Sequence, residues 1–150
     1  IKAESEQEIE VINQIASKIG KVAPVAIRVN PDVDPQTHPY ISTGLAENKF
    51  GVDAELAYEL FLKCSRLKNV ELTGIDMHIG SQITSLEPFV EATLKMAELF
   101  QKIQSAGIPL KHFDIGGGIG VVYNDEITFS PKDFADKLVN ETEAQLKKAE

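Results

Sequence analysis

Apolar side chains recur every three or four residues in four stretches of the chain, which predicts four amphipathic helices. Each stretch follows a residue suited to a helix N-terminus, namely Ser5, Asp53, Ser85 or Ser130, and the second helix is expected to continue through Leu67. The residues expected to be buried are Ile9, Ile12, Ile15, Ala16 and Ile19 in the first helix, Leu56, Leu60 and Cys64 in the second, Phe89, Thr93, Ala97 and Phe100 in the third, and Phe134, Leu138 and Leu146 in the fourth.

Three short, apolar runs separate these helices, at residues 22 to 29, 70 to 79 and 110 to 115. Their length and branched side chains predict buried parallel strands. Strand and helix alternate three times after the opening helix, which is the order of parallel strands joined by helical crossovers. The chain is therefore predicted to have an α/β fold. Residues 30 to about 52 show no clear period, and we interpret them as a functional loop.

Composition limits the classes of function. With 150 residues and 43% apolar side chains, the chain is sufficient for the core of one domain. Its net charge of −8 comes from scattered acidic residues, which disfavours nucleic acid or an anionic membrane as a partner and favours a small, soluble substrate. No membrane-spanning run or signal peptide is seen, so we expect a cytoplasmic protein. The single cysteine, Cys64, is expected to be a buried and inert thiol.

Both ends of the sequence suggest an internal piece of a longer protein. The chain begins at Ile1 without a methionine, and it ends inside a charged helical run without a helix stop. We therefore expect a fragment.

Polar residues and glycines follow the predicted strands where the strands end. Arg28 ends the first, His78 and Ser81 follow the second, and a run of three glycines, residues 116 to 118, follows the third. Active sites of parallel α/β proteins form at this end of the strands, in closed barrels and in open sheets alike. Glycines without Cβ atoms also let backbone N–H groups converge on an anion, so a phosphate-bearing ligand is indicated.

The same residues also allow structural or metal-binding interpretations. The glycine run is not a dinucleotide fingerprint, because Val121 occupies the place of its last glycine, but it could be a purely structural turn. His78 could be a structural histidine, and Arg28 could pair with Asp32 or Asp34. Carboxylates and imidazoles also alternate at Asp76 and His78 and at His112 and Asp114, which leaves a divalent-metal site as the main rival.

Five blocks of the sequence resemble diaminopimelate decarboxylases, in order and in content. The second and third blocks look specific to these enzymes, whereas the last two are shared with ornithine and arginine decarboxylases on the same pyridoxal-phosphate barrel. The blocks are Arg28 to Asp34, His38 to Gly44, Glu47 to Gly51, His78 to Gln82, and Gly116 to Gly120.

The resemblance implies a fold, a cofactor and a set of site residues. The fold would be part of a (β/α)8 TIM-like barrel, and the cofactor would be pyridoxal 5′-phosphate, without a metal. His78 would stack on the pyridoxal ring as the catalytic residue of this segment, and Ser81 and above all Gly118 would bind the phosphate. The implied cofactor-binding residues are Arg28, His78, Ser81, Gly116, Gly117 and Gly118.

The resemblance also implies a reaction, the conversion of meso-2,6-diaminopimelate to L-lysine and CO2. Residues 1–150 would belong to the pyridoxal-phosphate-binding barrel domain of a homodimeric parent enzyme. The cofactor lysine would precede Ile1 and would not be Lys49, and a C-terminal β domain would lie outside the chain, so the chain alone is expected to be inactive. The alternatives are a decarboxylase of ornithine or arginine, a metal-dependent barrel hydrolase, or a non-catalytic binding module.

Overall fold

The computed structural model describes residues 1–34, 50–122 and 128–147. All strand pairings are parallel, in the order β1-β2-β4-β5, and the short β3 pairs with the end of β2. The α/β prediction is confirmed. The elements are β1 (Lys2–Ala3), α1 (Glu6–Lys18), β2 (Ala23–Asn30), β3 (Val52–Asp53), α2 (Ala54–Cys64), β4 (Val70–Asp76), α3 (Glu87–Ser105), β5 (His112–Asp114) and α4 (Pro131–Lys147).

Three of the four predicted helix caps are confirmed. The side chains of Ser5, Asp53 and Ser130 accept hydrogen bonds from backbone N–H groups in the first turns of α1, α2 and α4. The prediction for α3 was wrong, because this helix begins after Leu86 and the hydroxyl of Ser85 bonds the Glu87 carboxylate instead.

The second helix ends three residues before the predicted Leu67. From Arg66 onward, backbone N–H groups bond carbonyls three residues back, as from Leu67 to Cys64 at 3.0 Å, so a tighter turn replaces the α-helix. Cys64 is buried as predicted, and burial raises the pKa of its thiol to about 11, so the thiol stays protonated.

Most, but not all, predicted buried faces are observed. The four predicted residues of α3 are buried, Leu60 is buried in α2, and Leu138 is fully buried with Phe134 and Leu146 packed beside the core in α4. In α1 the buried stripe is narrower than predicted: Ile9 and Ala16 are buried, whereas Ile15 and Ile19 are 53% and 65% exposed. Leu56, predicted on the inner face of α2, is 66% exposed.

Among the described residues, helices cover one face of the sheet and leave the other open. Along β2, Val25, Ile27 and Val29 are buried, whereas the intervening Pro24, Ala26 and Arg28 are exposed or half-buried. A hollow of about 720 Å³ lies along the uncovered face. Both remaining strands are shorter than predicted, since β4 ends at Asp76 and β5 has three residues. Within the described ranges, no helix has the length and apolar character needed to cross a membrane.

Candidate functional site

Charged residues form a row across the C-terminal ends of three strands. Arg28 of β2 is in register with Asp76 of β4, and Asp76 is in register with Asp114 of β5. Parallel strands place register partners side by side, so the row follows from the topology. It borders a cleft of about 400 Å³ that is also lined by His78 and Gly117.

Lys2 links two of these carboxylates. Its Nζ donates to Asp76 Oδ1 at 2.7 Å and to Asp114 Oδ2 at 2.6 Å. Burial raises the pKa of Asp76 above its ordinary value, and the Lys2 hydrogen bond offsets only part of that rise. Burial also acts to raise the pKa of Asp114, but hydrogen bonds from Lys2 and from the Gly116 backbone outweigh it, so that pKa is lowered. The opposite shifts reflect the deeper burial of Asp76.

Arg28 is held on three sides. Its guanidinium donates to Glu4 Oε1 at 2.8 Å, lies over the Phe50 ring at 5.4 Å from the centroid, and approaches the His78 carbonyl oxygen at 3.5 Å. The ion-pair partner is thus Glu4, whereas the alternative from sequence was Asp32 or Asp34. Glu4 is preferred because it directly follows β1, the strand paired beside β2.

His78 lies just beyond β4, in the loop that follows the strand. Burial lowers the pKa of its imidazole, and the positive charge of Arg28 lowers it further. The imidazole is therefore neutral at pH 7. A neutral, flat ring beside an open cleft is suited to contact with another ring.

Two glycines of the run are required by close contact between loops. A Cβ at Gly116, where φ is 73°, would lie 2.3 Å from the Met77 carbonyl oxygen. A Cβ at Gly118, where φ is 105°, would lie 1.9 Å from the Gly80 carbonyl oxygen. No side chain fits at either distance, and both φ values are strained for L-residues. The glycine loop therefore packs directly on the loop that carries His78.

Gly117 differs from its neighbours because a Cβ there would meet no atom within 4 Å. In the described part of the chain, the N–H groups of Gly117 and Gly118 donate no hydrogen bond, whereas that of Gly116 donates to Asp114 Oδ1 at 2.8 Å. Two neighbouring amides without partners, on a turn open at Gly117, form a cradle suited to an anion. The residues present therefore fit a phosphate group.

The structure brings most of the predicted site together. Arg28, His78, Gly116 and Gly117 line the one cleft. Gly118 and Ser81 do not line this cleft but lie next to each other: Ser81 is exposed, and its Cα would be 3.3 Å from a Cβ at Gly118. Lys49 and the block from His38 to Gly44 lie outside the described residues.

The observed contacts do not favour the rival metal site. Nowhere in residues 1–34, 50–122 and 128–147 do three or more histidine, cysteine or acidic side chains form a group that could hold a metal. The two carboxylates of that hypothesis, on Asp76 and Asp114, are instead joined by the ammonium of Lys2.

Three residues of this region, Lys2, Glu4 and Gln82, were not predicted from the sequence. Lys2 and Glu4 were assigned no function, because β1 (Lys2–Ala3), which contains Lys2 and directly precedes Glu4, was not predicted as a strand. Their partners lie 24 to 112 residues away, at separations without any sequence period. Gln82 stood inside a block of the resemblance but was not assigned a function.

Comparison with known proteins identifies the family. Residues 1–149 match the family described as "Pyridoxal-dependent decarboxylase, pyridoxal binding domain". The chain belongs to this family, and it is part of a (β/α)8 barrel.

The curated relatives described here are both named diaminopimelate decarboxylase. The diaminopimelate decarboxylase of Haemophilus influenzae is 53% identical over 136 residues, which are 91% of this chain and 33% of that protein. The diaminopimelate decarboxylase of Aquifex aeolicus is 49% identical over 136 residues, which are 90% of this chain and 32% of the relative. The chain thus spans about a third of the length of these relatives, and the resemblance found in the sequence blocks is confirmed.

A solved structure gives the same result. Helicobacter pylori diaminopimelate decarboxylase complexed with L-lysine superposes with a TM-score of 0.91 at 44% identity, covering 95% of this chain and 36% of that chain. A lysine decarboxylase from Selenomonas ruminantium, at 23% identity and a TM-score of 0.76 over 97% of this chain and 35% of its own, shows that the fold is shared more widely.

Proposed function

We infer that the protein containing this chain is a pyridoxal-phosphate-dependent decarboxylase that converts meso-2,6-diaminopimelate to L-lysine and CO2. The observation that carries this proposal is the convergence of a neutral imidazole, a fixed guanidinium and an open glycine turn on one cleft. The relatives named diaminopimelate decarboxylase, at 44 to 53% identity, support the choice of substrate.

The residues of this chain would bind and orient the cofactor. When bound, pyridoxal phosphate supplies the electron sink that accepts the charge left by the departing carboxylate. The N–H groups of Gly117 and Gly118, with the Ser81 hydroxyl, would hold the phosphate, and His78 would lie against one face of the ring. Arg28 would fix the backbone of His78 through its carbonyl contact. Because the imidazole is neutral, it brings no like charge toward a cationic pyridinium.

The proposal extends to the organisation of the parent protein. We propose that residues 1–150 belong to its cofactor-binding barrel domain, and that a β-rich C-terminal domain and a second subunit complete the site. We expect the parent to act in the cytoplasm on a small amino-acid substrate and to bind no nucleic acid. The net charge of −8 supports the expectation that the protein binds no nucleic acid.

The test is a substrate assay on the full-length protein that contains this chain. Loaded with pyridoxal phosphate, it should form L-lysine from meso-2,6-diaminopimelate and should leave ornithine and arginine unchanged. His78→Ala should weaken cofactor retention by up to about tenfold, because the loss of a stacked ring is worth about 1 kcal/mol. His112→Ala, an exposed histidine on β5, is the matched control and should retain the cofactor. Preference for ornithine or arginine would contradict the substrate, and equal retention in both variants would contradict the role of His78.

A further inference from the structure

The two loops of the site are joined by a short parallel ladder beyond the ends of β4 and β5. The Ile83 N–H donates to the Gly118 carbonyl at 3.0 Å, and the Gly120 N–H donates to the Ile83 carbonyl at 2.8 Å. Ile83 and Ile119 form the corresponding bridge pair. The ladder fixes the glycine run against the segment that carries His78 and Ser81.

A side chain continues this ladder where the backbone stops. The Gln82 Oε1 accepts from the Val121 N–H at 3.0 Å, and its Nε2 donates to the Val121 carbonyl at 2.5 Å. The primary amide thus bonds both backbone groups of one residue, as a neighbouring strand would.

Gln82 makes this contact from a backbone conformation that is strained for a residue with a Cβ atom. Its φ is 58°, a left-handed conformation that residues with a Cβ seldom adopt. Such strain persists where surrounding contacts fix the residue, and it is concentrated at functional sites. Here the fixing contacts are the two bonds to Val121 and the ladder at the next residue, Ile83.

We propose that Gln82 is a positioning residue that sets the register of the glycine loop against the loop carrying His78 and Ser81. Through this register it would position the N–H groups of Gly117 and Gly118 for the phosphate of the proposed function. The side chain does not line the cleft, so it acts through Val121 and the glycine loop. The link to cofactor binding rests on the proposed function, whereas the loop register itself does not.

Gln82→Gly in the full-length protein separates the side chain from the backbone. Glycine accepts the positive φ without strain, so global stability should be unchanged or slightly higher. Hydrogen exchange at the Val121 amide of the apo-protein should nevertheless accelerate at least fivefold, and the affinity for pyridoxal phosphate should fall by about tenfold. Exchange and affinity equal to those of the wild type would overturn the proposal.

Gln82→Glu tests the hydrogen bond that Gln82 Nε2 donates to the Val121 carbonyl, separately from the one that Oε1 accepts. Glutamate still accepts from the Val121 N–H, but its carboxylate faces the Val121 carbonyl and repels it. Cofactor affinity relative to wild type should therefore be about tenfold lower at pH 7.5 and should recover toward pH 5, where a protonated Glu can donate again. Gln104→Glu is the matched control, because Gln104 Nε2 also donates to a backbone carbonyl, that of Leu110, away from the site. A pH-independent defect, or an equal defect in the control, would contradict the proposal.

The exchange measurement distinguishes this proposal from the proposed function. If the wild-type protein did not bind pyridoxal phosphate at all, the proposed function would fail. Faster Val121 exchange in Gln82→Gly would still support the register role in that case, and unchanged exchange would refute it.

Discussion

Each glycine of the run has a different neighbourhood, and the difference decides what each contributes. The resemblance made Gly118 the first candidate for the phosphate, and its missing Cβ is also required by the Gly80 carbonyl oxygen. Gly117 is the position that opens toward the cleft. Gly118 is thus required by packing, and we propose that the open position at Gly117 leaves room for the phosphate that the N–H groups of both residues would hold.

Gly118→Ala and Gly117→Ala should affect mainly different properties of the full-length protein. Gly118→Ala should destabilise the fold by at least about 2 kcal/mol, because it combines a positive φ with a backbone collision. Gly117→Ala should change the unfolding free energy by less than about 0.5 kcal/mol. Its methyl group should instead displace an amide–phosphate bond worth about 1.5–3 kcal/mol and lower the affinity for pyridoxal phosphate at least tenfold.

Urea unfolding of the apo-proteins and cofactor titration measure the two quantities separately. Equal destabilisation by both substitutions would show that Gly117 serves the fold as well. An unchanged affinity in Gly117→Ala would show that the phosphate does not contact this turn.

At the scale of elements, Lys2 joins three strands at their C-terminal ends. It extends from β1 to Asp76 on β4 and to Asp114 on β5. Asp76 is buried and Lys2 is half-exposed, so the pair is only partly screened by solvent. The arrangement connects strands that do not all hydrogen-bond to one another.

Lys2→Met should destabilise the protein at pH 7 by about 1–2 kcal/mol, because it leaves a buried carboxylate without its cation. Since burial already raises the pKa of folded Asp76, ionisation of this carboxyl lowers stability as the pH rises through the raised value. Removing Lys2 raises that pKa further. The defect should therefore be largest at neutral pH and should shrink as the pH falls through that raised pKa, where the carboxyl becomes protonated.

Urea unfolding of the wild type and Lys2→Met at pH 7 and pH 4 tests whether the loss of stability shrinks in acid. Lys111→Met is the matched control, since Lys111 pairs with the exposed Glu71 at 2.8 Å and its loss should have little effect at either pH. A Lys2→Met defect that stays constant or grows in acid would contradict the account.

The packing of α4 on α3 gives a second test at this scale. Leu138 is fully buried, whereas the adjacent Val139 is 52% exposed. Leu138→Ala should lower the unfolding free energy by about 2–5 kcal/mol, because it leaves a cavity between the helices. Val139→Ala should change it by less than about 0.5 kcal/mol. Chemical denaturation of the two variants measures the difference, and similar losses would show that α4 does not pack as described.

At the scale of the whole molecule, the described part of the chain leaves apolar surface uncovered beside β5. A groove of about 340 Å³ runs between β5 and α4, and β5 is the last strand of the described sheet. The apolar side chains that line the groove are Phe100, Phe113, Ile115, Leu138, Val139 and Leu146. An exposed apolar groove next to an unpaired strand edge favours association.

The 150-residue chain produced by itself should therefore bind the dye ANS and should self-associate, more strongly than a full-length member of the family. Fluorescence titration and sedimentation velocity measure the two effects at matched concentrations. A monomeric chain with no more dye binding than the full-length protein would show that the groove closes on its own.

The sequence by itself predicted the four helices, the three longer strands and the residues that gather at the cleft, but not the two-residue strands β1 and β3. Capping residues, helical spacing and β-branched runs act over a few neighbours, so Ser5, Asp53 and Ser130 identified three helix starts correctly. The rule that parallel strands carry their sites at their C-terminal ends was sufficient to group Arg28, His78 and the glycine run.

Only the tertiary structure decided which residues touch. The pairing of Lys2 with Asp76 and Asp114 spans 74 and 112 residues, and the difference in space at Gly117 and Gly118 depends on a carbonyl in another loop. The exposure of Ile15 and Ile19 likewise depends on how much of α1 its neighbours cover. Such contacts follow from the register and distance of packed elements, which no local sequence pattern encodes.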